Sequence, residues 1–178
     1  WWTFGNGQTE EGPGKGTVTN FYEPGYYDVT LVMQNQSGEI ATNQKTAYIK
    51  IAPPIAYVAT NGQAIAPYVS WEKAARTIQD ALGTVRWGPT GDHTRILISN
   101  GTYAINAQIV LATNYTLLGV SDHPSNIVLQ GSASRLFTIT SPGVTLAGLT
   151  LQGGYEPSYL SKGGGISMSA GLVSNCII

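Results

Sequence analysis

The sequence predicts an all-β protein of two units, in which a short set of antiparallel strands is followed by a solenoid of parallel strands capped by one helix. Three observations lead to this fold class. Glycine accounts for 22 of 178 residues while charged residues make up only 11%, against roughly 7% and 25% in ordinary soluble domains. Apolar positions in the second unit recur about every 28 residues, which is the range of solenoid repeats. Only one segment, 70–85, shows apolar residues at helical spacing.

The first unit, residues 1–52, has the alternation of a hairpin. Apolar side chains occupy every second position of its first run, at Tyr27, Val29, Leu31 and Met33. A polar turn at 36–38 separates this run from a second one at 46–51. The pattern therefore predicts two antiparallel strands joined by that turn.

Two motifs in this unit resemble the PKD domain. The segments are WTFGNG at residues 2–7 and FYEPGYYDVTL at residues 21–31, which are similar to the W-x-F-G-D-G and Y-x-x-P-G-x-Y-x-V-x-L patterns of that family. The resemblance implies an immunoglobulin-like β-sandwich, truncated at its N-terminus, of the kind that serves as an extracellular spacer or adhesion module. Asn6 replaces the family's aspartate, and we expect it to keep a role in the turn through its side-chain hydrogen bonds.

A linker at 53–56 leads to the predicted helix, which we place at about 70–85. Ser70 has the residue type of an N-cap. The apolar stripe comprises Trp71, Ala74, Ala75, Ile78, Ala81 and Val85, and the charged residues Glu72, Arg76 and Asp80 are four apart on the other face. A helix with one apolar stripe needs an apolar surface to cover, and short strands follow it.

The strands of residues 57–178 form two repeating series. The first series comprises the pairs Ile109 and Leu111, Phe137 and Ile139, and Ile166 and Met168; the second comprises Leu117 and Val120, Leu146 and Leu149, and Val173 and Cys176. Short strands at this period favour a β-solenoid over a helical repeat. Gly119, Gly148 and Asn175 stand at the predicted bends, where residues that accept positive φ are expected. Cys176 falls in an inward-pointing series, so we expect a buried free thiol.

Residues 57–178 also resemble a known family. The matching segments are 57–58, 66–71, 74–75, 77–81, 100–103, 163–166 and 173–176. As an ordered set they are similar to the N-terminal end of right-handed parallel β-helix proteins with the pectate-lyase-like fold, which are common in large secreted bacterial proteins. The resemblance implies that the helix caps the solenoid and hides its edge. Together with the Trp-Trp start and the apolar end of the chain, it predicts a piece of a longer polypeptide whose β-helix is truncated at its C-terminus.

Carboxylates in the second unit give no catalytic set. They are Glu72, Asp80, Asp92, Asp122 and Glu156. Polysaccharide lyases and hydrolases on this fold use clustered carboxylates, and no pair recurs here at the coil spacing. The sequence also lacks the acidic spacing of a calcium loop and a Cys/His cluster with zinc spacing. We therefore predict no catalytic residue, metal or cofactor in these residues.

The predicted binding residues are aromatic and polar side chains in loops. They are Tyr155, Glu156, Tyr159 and Lys162 in the loop 153–163, and Trp87 in an earlier loop. Loops on a rigid scaffold commonly carry ligand contacts, and tyrosines beside a carboxylate and an ammonium suit stacking on sugars with added hydrogen bonds. The alternative is an ordinary insertion whose tyrosines pack on the neighbouring coil.

Three functions remain open from the sequence. The favoured one is a non-catalytic part of an extracellular or cell-surface bacterial protein, in which a PKD-like spacer leads into a β-helix that contacts a polysaccharide or cell-surface glycan. The second is the N-terminal part of a polysaccharide lyase or glycoside hydrolase with its active site beyond residue 178, and the third is a self-associating structural component. Nine scattered Lys and Arg with a net charge of −1 exclude a nucleic-acid footprint. No apolar run approaches the roughly 18 residues of a membrane span.

Overall fold

The computed structural model describes residues 1–12, 19–85, 94–156 and 163–178. The chain forms two compact units, Trp1–Ala52 and Pro53–Ile178. The described residues are mostly β-strand, with parallel sheets and one α-helix.

The first unit is a four-stranded antiparallel sheet in the order β2-β1-β3-β4. Its strands are β1 (Trp2–Thr3), β2 (Thr9–Glu10), β3 (Gly25–Gln34) and β4 (Ile40–Ile51). The pairing of β3 with β4 confirms the predicted hairpin. The second strand begins at Ile40 rather than at residue 46, because its polar first half pairs with β3 as regularly as its apolar second half does.

A β-bulge interrupts this hairpin opposite Asp28. The register shifts between the pairs Tyr27–Ile49 and Val29–Lys45, and Ala47 adopts a left-handed φ of +48°. The Asp28 carboxylate accepts hydrogen bonds from the Ala47 N–H at 2.7 Å and from Gln44 Nε2 at 2.9 Å. A bulge leaves backbone groups without ladder partners, and here the Asp28 carboxylate takes the place of a ladder partner for the Ala47 N–H.

The turn around Asn6 has the role that the sequence predicts. Asn6 Oδ1 accepts a hydrogen bond from the Gln8 N–H at 3.1 Å, and Nδ2 donates to the Phe21 carbonyl at 3.1 Å. Gly5 and Gly7 on either side have positive φ. No described residue of 1–52 is fully buried, and all the described strands of this unit belong to one sheet.

The second unit is built from short parallel strands. They are β5 (Ile55–Val58), β6 (Thr94–Ile98), β7 (Gly101–Ile105), β8 (Ile109–Leu111), β9 (Tyr115–Gly119), β10 (Ile127–Gly131), β11 (Phe137–Ile139), β12 (Thr145–Ala147), β13 (Thr150–Gln152), β14 (Ile166–Met168) and β15 (Leu172–Ser174), with helix α1 (Ile78–Val85) and a 3₁₀ turn at Pro124–Asn126. The sheets run β13-β10-β7, β14-β11-β8 and β15-β12-β9-β6-β5. From β7 onward, successive strands visit these three sheets in turn, which is a β-helix-like arrangement.

The strand register confirms the first predicted repeat series and the first members of the second, whereas Val120 of the second series is exposed. Ile109 pairs with Phe137 and Phe137 with Ile166. Leu117 pairs with Leu146, which in turn pairs with Val173. The inward side chains of each sheet therefore stack over one another and fill the interior, as expected for strands whose alternate residues face one core.

The core lies entirely between these sheets and under α1. Its largest fully buried side chains are Tyr103, Phe137, Ile78, Ile96, Ile98, Ile105, Leu111, Leu117, Ile127, Leu129, Leu136 and Ile139. Cys176 packs against this core as a free thiol, half-buried rather than buried as the sequence predicts. Cys176 follows β15, which lies at the end of the sheet β15-β12-β9-β6-β5, so no further described strand covers it.

The helix begins at Ile78, so the predicted start at Ser70 is wrong. Thr77 is its N-cap: the Asp80 N–H donates to Thr77 Oγ1 at 3.1 Å, and that hydroxyl donates to Asp80 Oδ2 at 2.7 Å. Ser70 accepts only the Lys73 N–H, at 3.3 Å, in a single turn. Residue 75 is drawn out of helical geometry because it bridges to the edge of β5.

That bridge covers the outer edge of β5. The Ala75 N–H donates to the Tyr57 carbonyl and the Ala59 N–H donates to the Ala75 carbonyl, both at 2.9 Å. The Tyr57 N–H donates to the Tyr68 carbonyl, also at 2.9 Å. The edge strand is therefore blunted by the segment before the helix, and α1 packs its apolar face on the end of the core.

The bends between coils are only partly as predicted. Gly148 and Asn175 have positive φ, of +69° and +47°. Gly119 does not, so the prediction is wrong there. Glycine is needed at that position for a steric reason instead, because a β-carbon would clash with the carbonyl oxygen of Gly148 on the neighbouring coil.

Candidate functional site

The predicted loop after β13 is described at Tyr155 and Glu156. Tyr159, Lys162 and Trp87 lie outside the described residues. The Tyr155 N–H donates to the Ser134 carbonyl at 3.0 Å, which ties the start of the loop to the preceding coil. The Tyr155 residue is 56% exposed.

Arg135 joins the two ends of this loop. Its Nη2 lies 3.0 Å from Glu156 Oε2, with the two side chains only 13% and 22% exposed. Its Nε donates to the Gly163 carbonyl at 2.8 Å. The structure thus separates the roles of the neighbouring residues, since the Glu156 carboxylate is engaged by Arg135 while the Tyr155 ring is presented to solvent.

A second surface, which the sequence did not predict as a site, lies beside the capping segment. We call it the cap pocket. It has a volume of about 410 Å³ and is lined by Ala59, Asn61, Gln63, Trp71, Glu72 and Ser99. This volume falls within the roughly 300–1,000 Å³ of small-molecule sites.

The walls of the cap pocket are fixed by backbone hydrogen bonds. The Gln63 N–H donates to the Glu72 carbonyl at 2.9 Å and the Ala64 N–H donates to the Ala74 carbonyl at 3.0 Å. Gly62, directly before Gln63, leaves no room for a β-carbon against the Ala74 carbonyl. Arg76 donates from Nε to the Gly62 carbonyl at 2.8 Å. Arg76 therefore braces the wall and does not form the helix face with Glu72 and Asp80 that the sequence predicts.

Trp71 is the aromatic group of the cap pocket. It is 41% exposed, which corrects its placement in the buried stripe of the helix, because the stripe begins only at Ile78. Its ring packs against Tyr57 with centroids 4.8 Å apart and an interplanar angle of 71°. This edge-to-face contact is a favoured aromatic geometry and limits the freedom of the indole.

The polar lining of the cap pocket comes from two sources. Gln63 Nε2 donates to Glu72 Oε1 at 3.1 Å, so an amide and a carboxylate are held side by side. Ser99 Oγ lies 3.0 Å from Tyr103 Oη, which donates to the Ser99 carbonyl at 2.9 Å. Burial raises the pKa of Tyr103.

Neither surface assembles a metal centre. In the described ranges, no group of three or more His, Cys, Asp or Glu could hold a metal ion. Asp122 is exposed in a bend before the 3₁₀ turn, and Asp92 falls outside the described part of the chain. In the described part of the chain, no helix has the length and apolarity that crossing a membrane requires.

Sequence reasoning missed the cap pocket because its residues come from three separate segments. One local signal points towards it. Thr77-Ile78-Gln79-Asp80 has the pattern of a capping box, with Asp in place of the usual Glu or Gln. With Thr77 as the N-cap, Trp71 and Glu72 precede the helix and lie in a loop.

Searches against protein-family models, curated proteins and solved structures find no match to this chain.

Proposed function

We propose that this chain is a non-catalytic part of an extracellular or cell-surface protein, in which a PKD-like unit carries a right-handed parallel β-helix that contacts carbohydrate. The proposal combines an architecture and a binding surface. Each has separate support in the described residues.

The architecture is supported by strand register and turn chemistry. Three parallel sheets with matched strands, as in the series from Ile109 to Phe137 to Ile166, support a parallel β-helix. In the first unit, the Asn6 turn sits beside a strand that pairs Trp2 with Leu31. These are positions of the two motifs that resemble the PKD domain.

The exposed ring of Tyr155 on an anchored loop is the observation that carries the binding proposal. Ordering a loop on binding reduces affinity, and here Arg135 already fixes both loop ends through Glu156 and Gly163. A tyrosine ring offers an apolar face for sugar C–H groups and a hydroxyl for hydrogen bonding. The rigid scaffold beneath it lets this contact form at little entropic cost.

Affinity electrophoresis of the full chain tests the proposal. Native gels containing a panel of neutral and acidic polysaccharides report retardation relative to a gel without polysaccharide. We expect retardation in at least one gel, and we expect Tyr155→Ala to reduce it several-fold. Tyr48→Ala is the matched control, because Tyr48 is also an exposed tyrosine, at 62%, but lies in the first unit.

Arg135→Gln separates loop order from ring chemistry. The change removes the ion pair to Glu156 and weakens the bond to the Gly163 carbonyl while Tyr155 remains. We expect weaker retardation and faster proteolytic cleavage in the loop 153–163. Wild-type migration unaffected by every polysaccharide would refute the binding proposal, as would equal effects of Tyr48→Ala and Tyr155→Ala.

A further inference from the structure

We infer that the cap pocket is a binding site for the uncharged hexose units of a polysaccharide. This inference rests on the proposed carbohydrate contact and deepens it, because it adds a second site and names the class of sugar. The cap pocket lies at the capped end of the second unit, on different elements from the Tyr155 loop.

Trp71 gives the cap pocket a restrained aromatic surface. Sugar rings present apolar C–H faces that stack on indole, and Trp71 lines the cap pocket with 41% of its surface exposed. The T-shaped contact with Tyr57 restrains the ring before a ligand arrives. A pre-ordered aromatic ring contributes contact area without a large loss of side-chain entropy on binding.

The polar side chains of the cap pocket suit the hydroxyl groups of a sugar. Glu72 Oε1 accepts a hydrogen bond from Gln63 Nε2 at 3.1 Å, and this pair does not use Glu72 Oε2 or the second N–H of the Gln63 amide. The exposed Asn61 amide makes no hydrogen bond to another described residue. Side-chain amides and carboxylates offer paired donors and acceptors, which match the paired hydroxyls of a hexose.

The charge of the residues that line the cap pocket favours a neutral ligand. Among the described residues that line the cap pocket, Glu72 is the one with an ionisable side chain. An ionised carboxylate repels a uronate, because like charges brought together away from bulk water are unfavourable. A cationic peptide is disfavoured for a different reason, since it would leave Asn61, Gln63 and Ser99 poorly matched while gaining one partly engaged carboxylate. The lining therefore favours neutral hydroxylated ligands.

The walls of the cap pocket are held in place before a ligand binds. The segments that carry Gln63 and Glu72 are joined by backbone hydrogen bonds, and Gly62 fits closely against Ala74. The same bonds hold the covering of the β5 edge. The site is thus formed by the fold itself rather than by a loop that must close.

Affinity electrophoresis with matched variants tests the inference. Neutral β-glucan, mannan and galactan gels are compared with a polygalacturonate gel, using the full chain. Trp71→Ala should weaken retardation by a neutral polysaccharide about tenfold, whereas Trp71→Phe should keep most of it. Trp2→Ala is the control, because Trp2 is 40% exposed but lies in the first unit.

Two polar variants keep the test independent of folding. Asn61→Ala alters an exposed side chain that bonds no described residue, and it should weaken retardation at least threefold with an unchanged melting temperature. Glu72→Gln should retain binding to the neutral polysaccharide and lessen the discrimination against polygalacturonate. Titration with a soluble neutral oligosaccharide should quench tryptophan fluorescence in the wild type but not in Trp71→Ala.

The outcomes separate the two proposals. Retardation of the wild type that is lost in Tyr155→Ala but unchanged in Trp71→Ala and Asn61→Ala would overturn the cap pocket and leave the carbohydrate proposal standing. Retardation by polygalacturonate alone, or binding of a lysine-rich peptide without any neutral glycan, would also overturn it. Migration of the wild type unaffected by every polysaccharide would refute the proposed function itself.

Discussion

Thr77→Ala probes the start of the capping helix. The substitution removes the hydrogen bond from the Asp80 N–H at 3.1 Å and the bond from the Thr77 hydroxyl to Asp80 Oδ2 at 2.7 Å. Loss of a threonine N-cap costs about 1 kcal/mol, within a range of roughly 0.5–2 kcal/mol. For a unit of this size, about 1 kcal/mol lowers the melting temperature by about 4 °C.

Ser70→Ala is the matched control, because it tests the helix start that apolar spacing predicts. Ser70 Oγ accepts one exposed hydrogen bond, from the Lys73 N–H at 3.3 Å, so its loss should cost less than about 0.5 kcal/mol. Thr77→Ser retains the capping hydroxyl and should restore most of the stability. Thermal unfolding followed by circular dichroism at 222 nm and by calorimetry measures all three variants.

A larger effect for Ser70→Ala than for Thr77→Ala would refute this placement of the helix. That result would mean that the helix begins seven residues earlier, that Trp71 belongs to its first turn, and that the cap pocket does not exist in the form described. Equal small effects of both changes would instead contradict the capping energy assigned to Thr77.

Two further predictions concern the second unit. Burial raises the pKa of Tyr103, so the stability that this group contributes is fully present below the ordinary tyrosine pKa of about 10 and is lost as pH rises from there towards the folded value. Tyr103→Phe should be less stable by about 1 kcal/mol near pH 8, and its melting temperature should decline less steeply at alkaline pH. Parallel declines of the two proteins would contradict this. Gly119→Ala should destabilise the fold by about 1–3 kcal/mol, because its β-carbon would clash with the Gly148 carbonyl. Gly83→Ala within α1, where a β-carbon meets nothing within 4 Å, should instead stabilise the fold by up to about 1 kcal/mol. Denaturant unfolding that ranks the two variants in the opposite order would contradict the steric clash at Gly119.

The repeat positions were predictable because they report one simple constraint. In stacked parallel strands, each inward side chain lies over its counterpart in the next coil. Ile109, Phe137 and Ile166 satisfy this constraint, and their spacing in the sequence alone reveals the register. The turn at Asn6 was predictable for a similar reason, because an asparagine side chain bonds to backbone groups close to it in sequence.

The helix start was not predictable from apolar spacing, because burial has more than one cause. Ala74 and Ala75 are completely buried, as a helical stripe requires. Ala75 is buried by its bridge to β5, however, which apolar spacing cannot distinguish from a helix. Trp71 shares the spacing but not the burial, since nothing in a local pattern specifies whether a large ring meets the core or a solvent-facing neighbour such as Tyr57.

The cap pocket illustrates how protection of an edge can create a binding surface. An exposed edge strand must be covered, and here the covering segment folds back so that its own backbone groups bond to each other and to β5. That return path brings Gln63 beside Glu72 and leaves Trp71 outside the core. The order needed for the pocket is therefore already required by the cap, which is why exposed side chains such as Asn61 should change binding without changing stability, and why Thr77→Ala should change stability more than binding.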